Sequence, residues 1–145
     1  MWRNRYELVA DGQPVAVWDG RIWRGGGTFD LQDRYYDVRA NGWGTRYEMT
    51  DETGMTVAVA ERVGRKRWTV EAGGRTYRLR RGSLRHEELL GADDRPAGSV
   101  RRVSFWRSDV VADLPGLALP LQVFVVVVVL AMWDARDSAA ASAAV

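Results

Sequence analysis

The chain contains no cysteine and only one histidine, His86, among its 145 residues. The missing cysteines exclude disulfides, thiolate metal ligands and thiol nucleophiles. A metal site built on paired imidazoles is excluded as well, because there is no second histidine. The sequence therefore favours a binding or structural protein. It predicts no enzymatic activity, no catalytic residues, no metal site and no cofactor.

Lysine is nearly absent too, because 20 of the 21 basic residues are arginine. These basic residues are unevenly distributed along the chain. Residues 62–107 carry 13 basic and 5 acidic side chains, a net charge of +8, whereas residues 1–61 and 108–145 each carry −3. Arginine binds carboxylate and phosphate through a planar fork. The middle third is therefore a candidate anion-binding surface, although a merely solvated basic face has the same composition.

The first seven residues are polar, and no apolar run of signal-peptide length follows them. This pattern predicts a cytoplasmic protein, either free or peripheral at the inner face of a membrane.

Short amphipathic runs alternate with glycine-containing turns throughout residues 1–112. In one such run, Trp68 and Val70 interleave with polar residues, which is the period-two pattern of a half-buried strand. We count about twelve candidate strands, roughly nine residues apart, a spacing typical of an antiparallel meander, barrel or sandwich.

A different pattern begins at Pro120, which suits the first turn of a helix. The apolar segment 121–133 follows and includes five consecutive valines at 125–129. It is long for a buried strand, although valine favours strands. As a membrane-spanning helix it is short, because 13 residues rise only about 20 Å against a hydrocarbon core of about 30 Å. A helix that is apolar on every side is expected to be buried on every side.

A closed barrel around this helix would provide such an environment and would leave no exposed sheet edges. We therefore predict a mainly β fold, a closed antiparallel barrel of about twelve strands that encloses a C-terminal hydrophobic α-helix. The single domain would span residues 1–137, with the helix near 120–136. The Ala/Ser-rich residues 138–145 would form a flexible tail.

Residues 110–115 (VVADLP) and 119–134, from Leu-Pro-Leu-Gln-Val-Phe through the valines to Trp-Asp, carry a family resemblance. Together with the glycine-bounded strands, this segment resembles the Tubby C-terminal-like superfamily, which includes the LURP-one-related proteins and the phospholipid scramblases. The resemblance implies a twelve-stranded barrel around the helix. It also implies a non-enzymatic role, with phosphoinositide or phospholipid contact in some members. The scramblases have an acidic calcium-binding segment just before the helix. This chain has only Asp109 and Asp113 there, so we predict no calcium site.

The most specific local prediction is a two-residue hairpin at Gly73-Gly74. Its register would place Arg67 directly opposite Arg80, and such like-charge pairs are destabilising unless they are neutralised. A phosphate or an anionic headgroup would relieve the repulsion. The predicted anion-binding or lipid-binding site consists of Arg65, Arg67, Arg78 and Arg80. Carboxylates on neighbouring strands are the alternative source of neutralisation, and the candidates are Glu48, Glu61, Glu87 and Glu88.

The leading functional hypothesis is a non-catalytic Tubby-like or LURP-one-related binding or scaffold module. Its partner would be an anionic membrane lipid, including phosphoinositides, or another protein. One alternative is a single-pass membrane protein with a C-terminal anchor at about residues 114–133. A second is nucleic-acid binding through the basic residues 62–107, for which no combined aromatic and basic motif is present.

Overall fold

The computed structural model describes residues 4–10, 13–21, 26–83, 85–102 and 110–143, with side chains described in 26–83, 85–102 and 110–140. The described residues form eleven β-strands followed by one α-helix. In chain order the elements are β1 (Asn4–Ala10), β2 (Gln13–Arg21), β3 (Gly26–Leu31), β4 (Arg34–Ala40), β5 (Tyr47–Asp51), β6 (Thr56–Glu61), β7 (Arg67–Ala72), β8 (Arg75–Ser83), β9 (His86–Leu90), β10 (Pro96–Arg102), β11 (Val110–Asp113) and α1 (Leu119–Ala143).

Each strand pairs with the next strand in the chain, and every pairing is antiparallel. The sheet therefore runs from β1 to β11 without a crossover, as short connections between sequential strands favour. The prediction of a mainly β, antiparallel fold with a C-terminal apolar helix is confirmed.

The predicted closure of the sheet into a barrel is not supported. Within the described residues, β1 pairs only with β2 and β11 pairs only with β10, so the first and last strands do not meet. The last strand is also short, with four residues from Val110 to Asp113, and therefore offers few hydrogen-bonding groups for a further pairing. The sheet is open, and its two edges are the first and the last strands.

The β7–β8 hairpin has the register predicted from Gly73-Gly74. Both glycines have positive φ, 58° and 77°, as a type I′ turn requires at its two central residues. Trp68 pairs with Leu79 on the buried face, and Arg67 pairs with Arg80 on the outer face. The sequence alone therefore fixes which side chains of this hairpin meet.

The apolar segment is a helix that is buried on nearly every side. Its buried positions point in all directions around the helix axis: residues 123–125, 127–129 and 131–133. They belong to one hydrophobic cluster with inward-facing strand residues such as Val38 and Val70. Only Gln122, Val126 and Leu130, four residues apart along one face, are half-buried within this stretch. Burial against the sheet outweighs the weak helix propensity of valine.

The helix begins at Leu119, one residue before Pro120, and continues to Ala143. The sequence prediction ended it at residue 136, where polar residues interrupt the apolar run. Polarity by itself does not stop a helix, however, and the Ala/Ser-rich residues that follow contain neither glycine nor proline. Alanine has the highest helix propensity, which explains the longer helix.

By length and composition, the stretch Leu119–Ala140 is apolar enough to cross a membrane, with a mean hydropathy of 1.7. Core helices of soluble proteins can have the same length and apolar composition. In this structure 56% of an 18-residue window in that stretch is buried against other parts of the chain.

The connections between strands gather at two ends of the sheet. The loops 41–46 and 62–66, after β4 and β6, lie at what we call the loop end. The turns 52–55, 73–74 and 91–95, after β5, β7 and β9, lie at what we call the turn end, because alternate connections of an antiparallel meander fall on opposite ends. The helix runs toward the loop end, where Met132 approaches Gly64.

Candidate functional site

Two loops at the loop end are joined by a backbone hydrogen bond. Val63 N donates to Thr45 O across 3.0 Å, which links the connection after β6 to the connection after β4. Val63 is itself only 3% exposed and packs into the hydrophobic core. The two loops therefore form one continuous surface.

The loop after β6 is held in a defined conformation. Arg65 N donates to Arg62 O at 3.1 Å, and Gly64 has a φ of 93°, so the backbone makes a tight turn that favours glycine at that position. The side chain of Arg81 on β8 donates from Nη2 to Gly64 O at 3.0 Å, and its backbone N donates to Lys66 O at 2.8 Å. These contacts fix the loop before any ligand arrives.

This loop and the first residue of β7 together carry four exposed cationic side chains, which we call the basic loop: Arg62, Arg65, Lys66 and Arg67. Within the part of the chain that the structure describes, none of the four forms an ion pair or donates a side-chain hydrogen bond. The adjacent acid, Glu61, is already engaged by Arg46 at 3.4 Å. The basic loop is therefore a concentrated positive charge that forms no ion pair of its own among the described residues.

Arg46 on the neighbouring loop is neutralised and does not add to this charge. It contacts Glu48 at 3.1 Å as well as Glu61, and the bond to Glu48 raises the pKa of the guanidinium. The hydroxyl of Thr56 and the guanidinium of Arg46 both lower the pKa of Glu48, so this carboxyl stays ionised.

The structure divides the four predicted site residues into two pairs. Arg65 and Arg67 are exposed and unpaired in the basic loop. Arg80 instead contacts Glu88 at 3.2 Å, and Arg78 is paired with Asp94 and donates to Gly91 O at 2.8 Å. The carboxylate alternative therefore applies to Arg80, whereas the partner of Arg78, Asp94, lies in a turn and was not among its candidates.

Sequence reasoning missed Arg62 and placed Lys66 only beside the predicted site. It started from the β7–β8 hairpin and therefore selected arginines on its strands and just before them. The run Arg65-Lys66-Arg67, with Arg62 three residues upstream, was the available signal, because a tight turn brings residues at this spacing together.

The neighbouring loop at this end presents an exposed tryptophan. Trp43 is 89% exposed, the most exposed large hydrophobic side chain of the described residues. The loop is closed by Asn41, whose Oδ1 accepts from the backbone N–H groups of Thr45 at 2.9 Å and Arg46 at 3.2 Å. Gly44, with a φ of 69°, makes the bend beside the indole.

A groove of about 560 Å³ separates this loop from the last turns of α1. Trp43 stands on its rim, and its floor includes the buried side chains of Tyr47, Val63 and Met132. Burial, with a smaller effect from Asp134, raises the pKa of Tyr47.

A buried carboxylate lies on the inner face of the sheet, near the loop end. Glu87 on β9 is 0% exposed, accepts a hydrogen bond from Trp68 Nε1 at 3.0 Å, and lies 3.6 Å from Nη2 of Arg136 on α1. Burial raises the pKa of Glu87, whereas Trp68 and Arg136 lower it. Burial also lowers the pKa of Arg136.

Glu87 and Glu88 lie on opposite faces of β9, as neighbouring residues of a strand do, and the candidate Glu87 does not neutralise the outer arginines. It faces the interior, and Glu88 alone meets the outer face. In the described ranges, no group of three or more His, Asp or Glu side chains is arranged to hold a metal ion.

No protein-family model, curated protein or solved structure matches this chain. Its function is therefore argued from the geometry of the loop end.

Proposed function

We propose that the chain is a non-catalytic binding module of the Tubby-like type that docks on anionic phospholipid headgroups through the basic loop. The basic loop, whose four exposed cations form no ion pair among the described residues, is the observation that carries this proposal. Of the features that the Tubby-like resemblance implies, the structure has the succession of antiparallel strands and the C-terminal apolar helix, whereas its sheet is open. We expect the protein in the cytoplasm, at the inner face of a membrane.

The energetics favour a membrane surface as the partner. A basic side chain near an anionic leaflet contributes about 1 kcal/mol, so four such side chains contribute roughly 4 kcal/mol. Arginine adds bidentate hydrogen bonds to phosphate oxygens. Because contacts from Arg81 and Val63 already order the loop backbone, little backbone entropy is lost on binding.

Co-sedimentation with vesicles tests this proposal. The protein should bind vesicles that contain phosphatidylserine or phosphoinositide in phosphatidylcholine, and this binding should weaken as the salt concentration rises. Pure phosphatidylcholine vesicles should leave it in the supernatant. Arg65→Glu/Arg67→Glu should lower the partition coefficient by about 30-fold or more, because two favourable charges become unfavourable.

Arg75→Glu/Arg95→Glu is the matched control, since it makes the same change in net charge at the turn end. Equal vesicle binding by the parent and Arg65→Glu/Arg67→Glu would refute the proposal, and so would equal losses in both double variants. Binding to duplex DNA but not to anionic vesicles would instead support the nucleic-acid alternative, whose affinity should also fall steeply with salt.

A further inference from the structure

The large solvent exposure of the Trp43 side chain is not explained by its surroundings. Burying an indole in an apolar or interfacial environment is favourable, yet 89% of this side chain faces solvent while a groove with an apolar floor lies beside it. The Asn41 hydrogen bonds hold the loop in the conformation that presents the indole. The backbone that carries the indole is therefore ordered by contacts within its own loop.

Trp43 lies at the same end of the sheet as the basic loop. The hydrogen bond from Val63 to Thr45 brings its loop against the basic loop, so the indole and the four cations occupy the same end of the sheet. Tyr35 and Met55, two other exposed large hydrophobic residues, lie toward the turn end. The combination of an exposed indole and unpaired cations is thus confined to the loop end within the described side chains.

Tryptophan is the side chain best suited to the boundary between headgroups and acyl chains, because its ring is apolar and its N–H is a hydrogen-bond donor. Cations at the same depth reach lipid phosphates. A soluble phosphorylated headgroup would engage the cations alone and would leave the indole in water. A bilayer engages both.

We infer that Trp43 inserts into the headgroup interface of an anionic bilayer and orients the protein with its loop end toward the membrane. This inference rests on the proposed function, to which it adds the kind of partner, an intact bilayer, and the direction of docking. The acidic residues Asp134 and Asp137 near this end do not oppose the orientation strongly, because Asp137 is paired with Arg85 and Asp134 is half-buried.

The absence of cysteine allows a direct test with one label per molecule. Gly42 is exposed, and a Cβ added there meets no atom within 4 Å, so Gly42→Cys places an environment-sensitive nitrobenzoxadiazole dye one residue from an intact Trp43. Met55→Cys, at the turn end, is the matched control and is also exposed, at 68%. Both labelled proteins are measured with phosphatidylserine/phosphatidylcholine vesicles, with iodide in the water as quencher.

When the protein binds vesicles, the fluorescence emission of the dye at position 42 should shift to shorter wavelength, and iodide should no longer quench it. The dye at position 55 should show neither change. Trp43→Ala should lower vesicle partitioning by about tenfold, and Met55→Ala should leave it unchanged. Bound protein in which the dye at position 42 remains open to iodide would overturn the inference and leave the proposed function standing. Failure of the unlabelled protein to bind these vesicles would overturn both.

Discussion

Trp68 Nε1 donates a hydrogen bond to Glu87 Oε1 across 3.0 Å in the interior of the protein. The two residues lie on β7 and β9 and are separated by one strand. The second carboxylate oxygen of Glu87 faces Arg136 of the helix. This group of three side chains therefore joins the sheet to the helix through polar contacts within an otherwise apolar core, and Glu87 has little alternative to these partners because it is fully buried.

Removing the tryptophan donor should destabilise the fold. Trp68→Phe leaves an oxygen of a buried carboxylate without its hydrogen bond, which costs about 1–3 kcal/mol in the free energy of unfolding, and the smaller ring adds a packing loss. Urea denaturation followed by circular dichroism measures the difference. Trp43→Phe, the same substitution at an exposed site, should change stability by less than about 0.5 kcal/mol. Equal effects at the two positions would contradict the role assigned to the buried bond.

Breaking the ion pair between Glu87 and Arg136 should destabilise the protein more at high pH than at low pH. Because the folded-state pKa of Glu87 is raised above its ordinary value, the folded state binds the proton more tightly, and stability increases as the pH falls through that pKa. Arg136→Met removes a cation that lowers this pKa. The destabilisation relative to the parent should be about 3 kcal/mol near pH 8 and smaller near pH 5.

Urea denaturation of the parent and Arg136→Met at both pH values measures this difference. In the double variant Glu87→Gln/Arg136→Met the carboxyl is gone, so the extra pH dependence should disappear. If Arg136→Met lowers the free energy of unfolding by the same amount at both pH values, the buried carboxylate is not the source of the destabilisation.

Gly98 on β10 should tolerate no side chain. A Cβ there would lie 2.4 Å from Asp113 O and 2.9 Å from Pro115 Cδ, so Gly98→Ala must displace the end of β11. We expect a loss of about 1–3 kcal/mol in the free energy of unfolding. Gly42→Ala, which meets open space, should be neutral within about 0.5 kcal/mol. Thermal unfolding of the two variants side by side tests this contrast.

Deletion of residues 114–145 should abolish cooperative folding. Of the 27 buried hydrophobic residues among the described side chains, ten belong to α1, so the sheet without the helix would expose its inner face. Loss of near-ultraviolet circular dichroism and of a sharp unfolding transition is the expected result. A truncated chain that folds and becomes more soluble would favour the membrane-anchor alternative.

The local features of this protein could be predicted from its amino-acid pattern. Alternation of apolar and polar residues identified strands such as β7, and Gly73-Gly74 determined the hairpin register that places Arg67 opposite Arg80. The all-round apolar character of residues 121–133 predicted a buried helix. Each of these follows from backbone geometry and side-chain periodicity within a short stretch of chain, where no distant contact has to be known.

The pairing of the charges and the openness of the sheet could not be predicted in this way and are known from the packed fold. Arg80 meets Glu88, Arg65 and Arg67 meet no acid among the described residues, and Glu87 faces inward to Arg136, 49 positions later in the numbering. Periodicity shows that Glu87 and Glu88 lie on opposite faces, but not which face becomes the interior. Charge pairing and burial depend on distances between residues remote in sequence, and these distances exist only once the strands have packed around the helix.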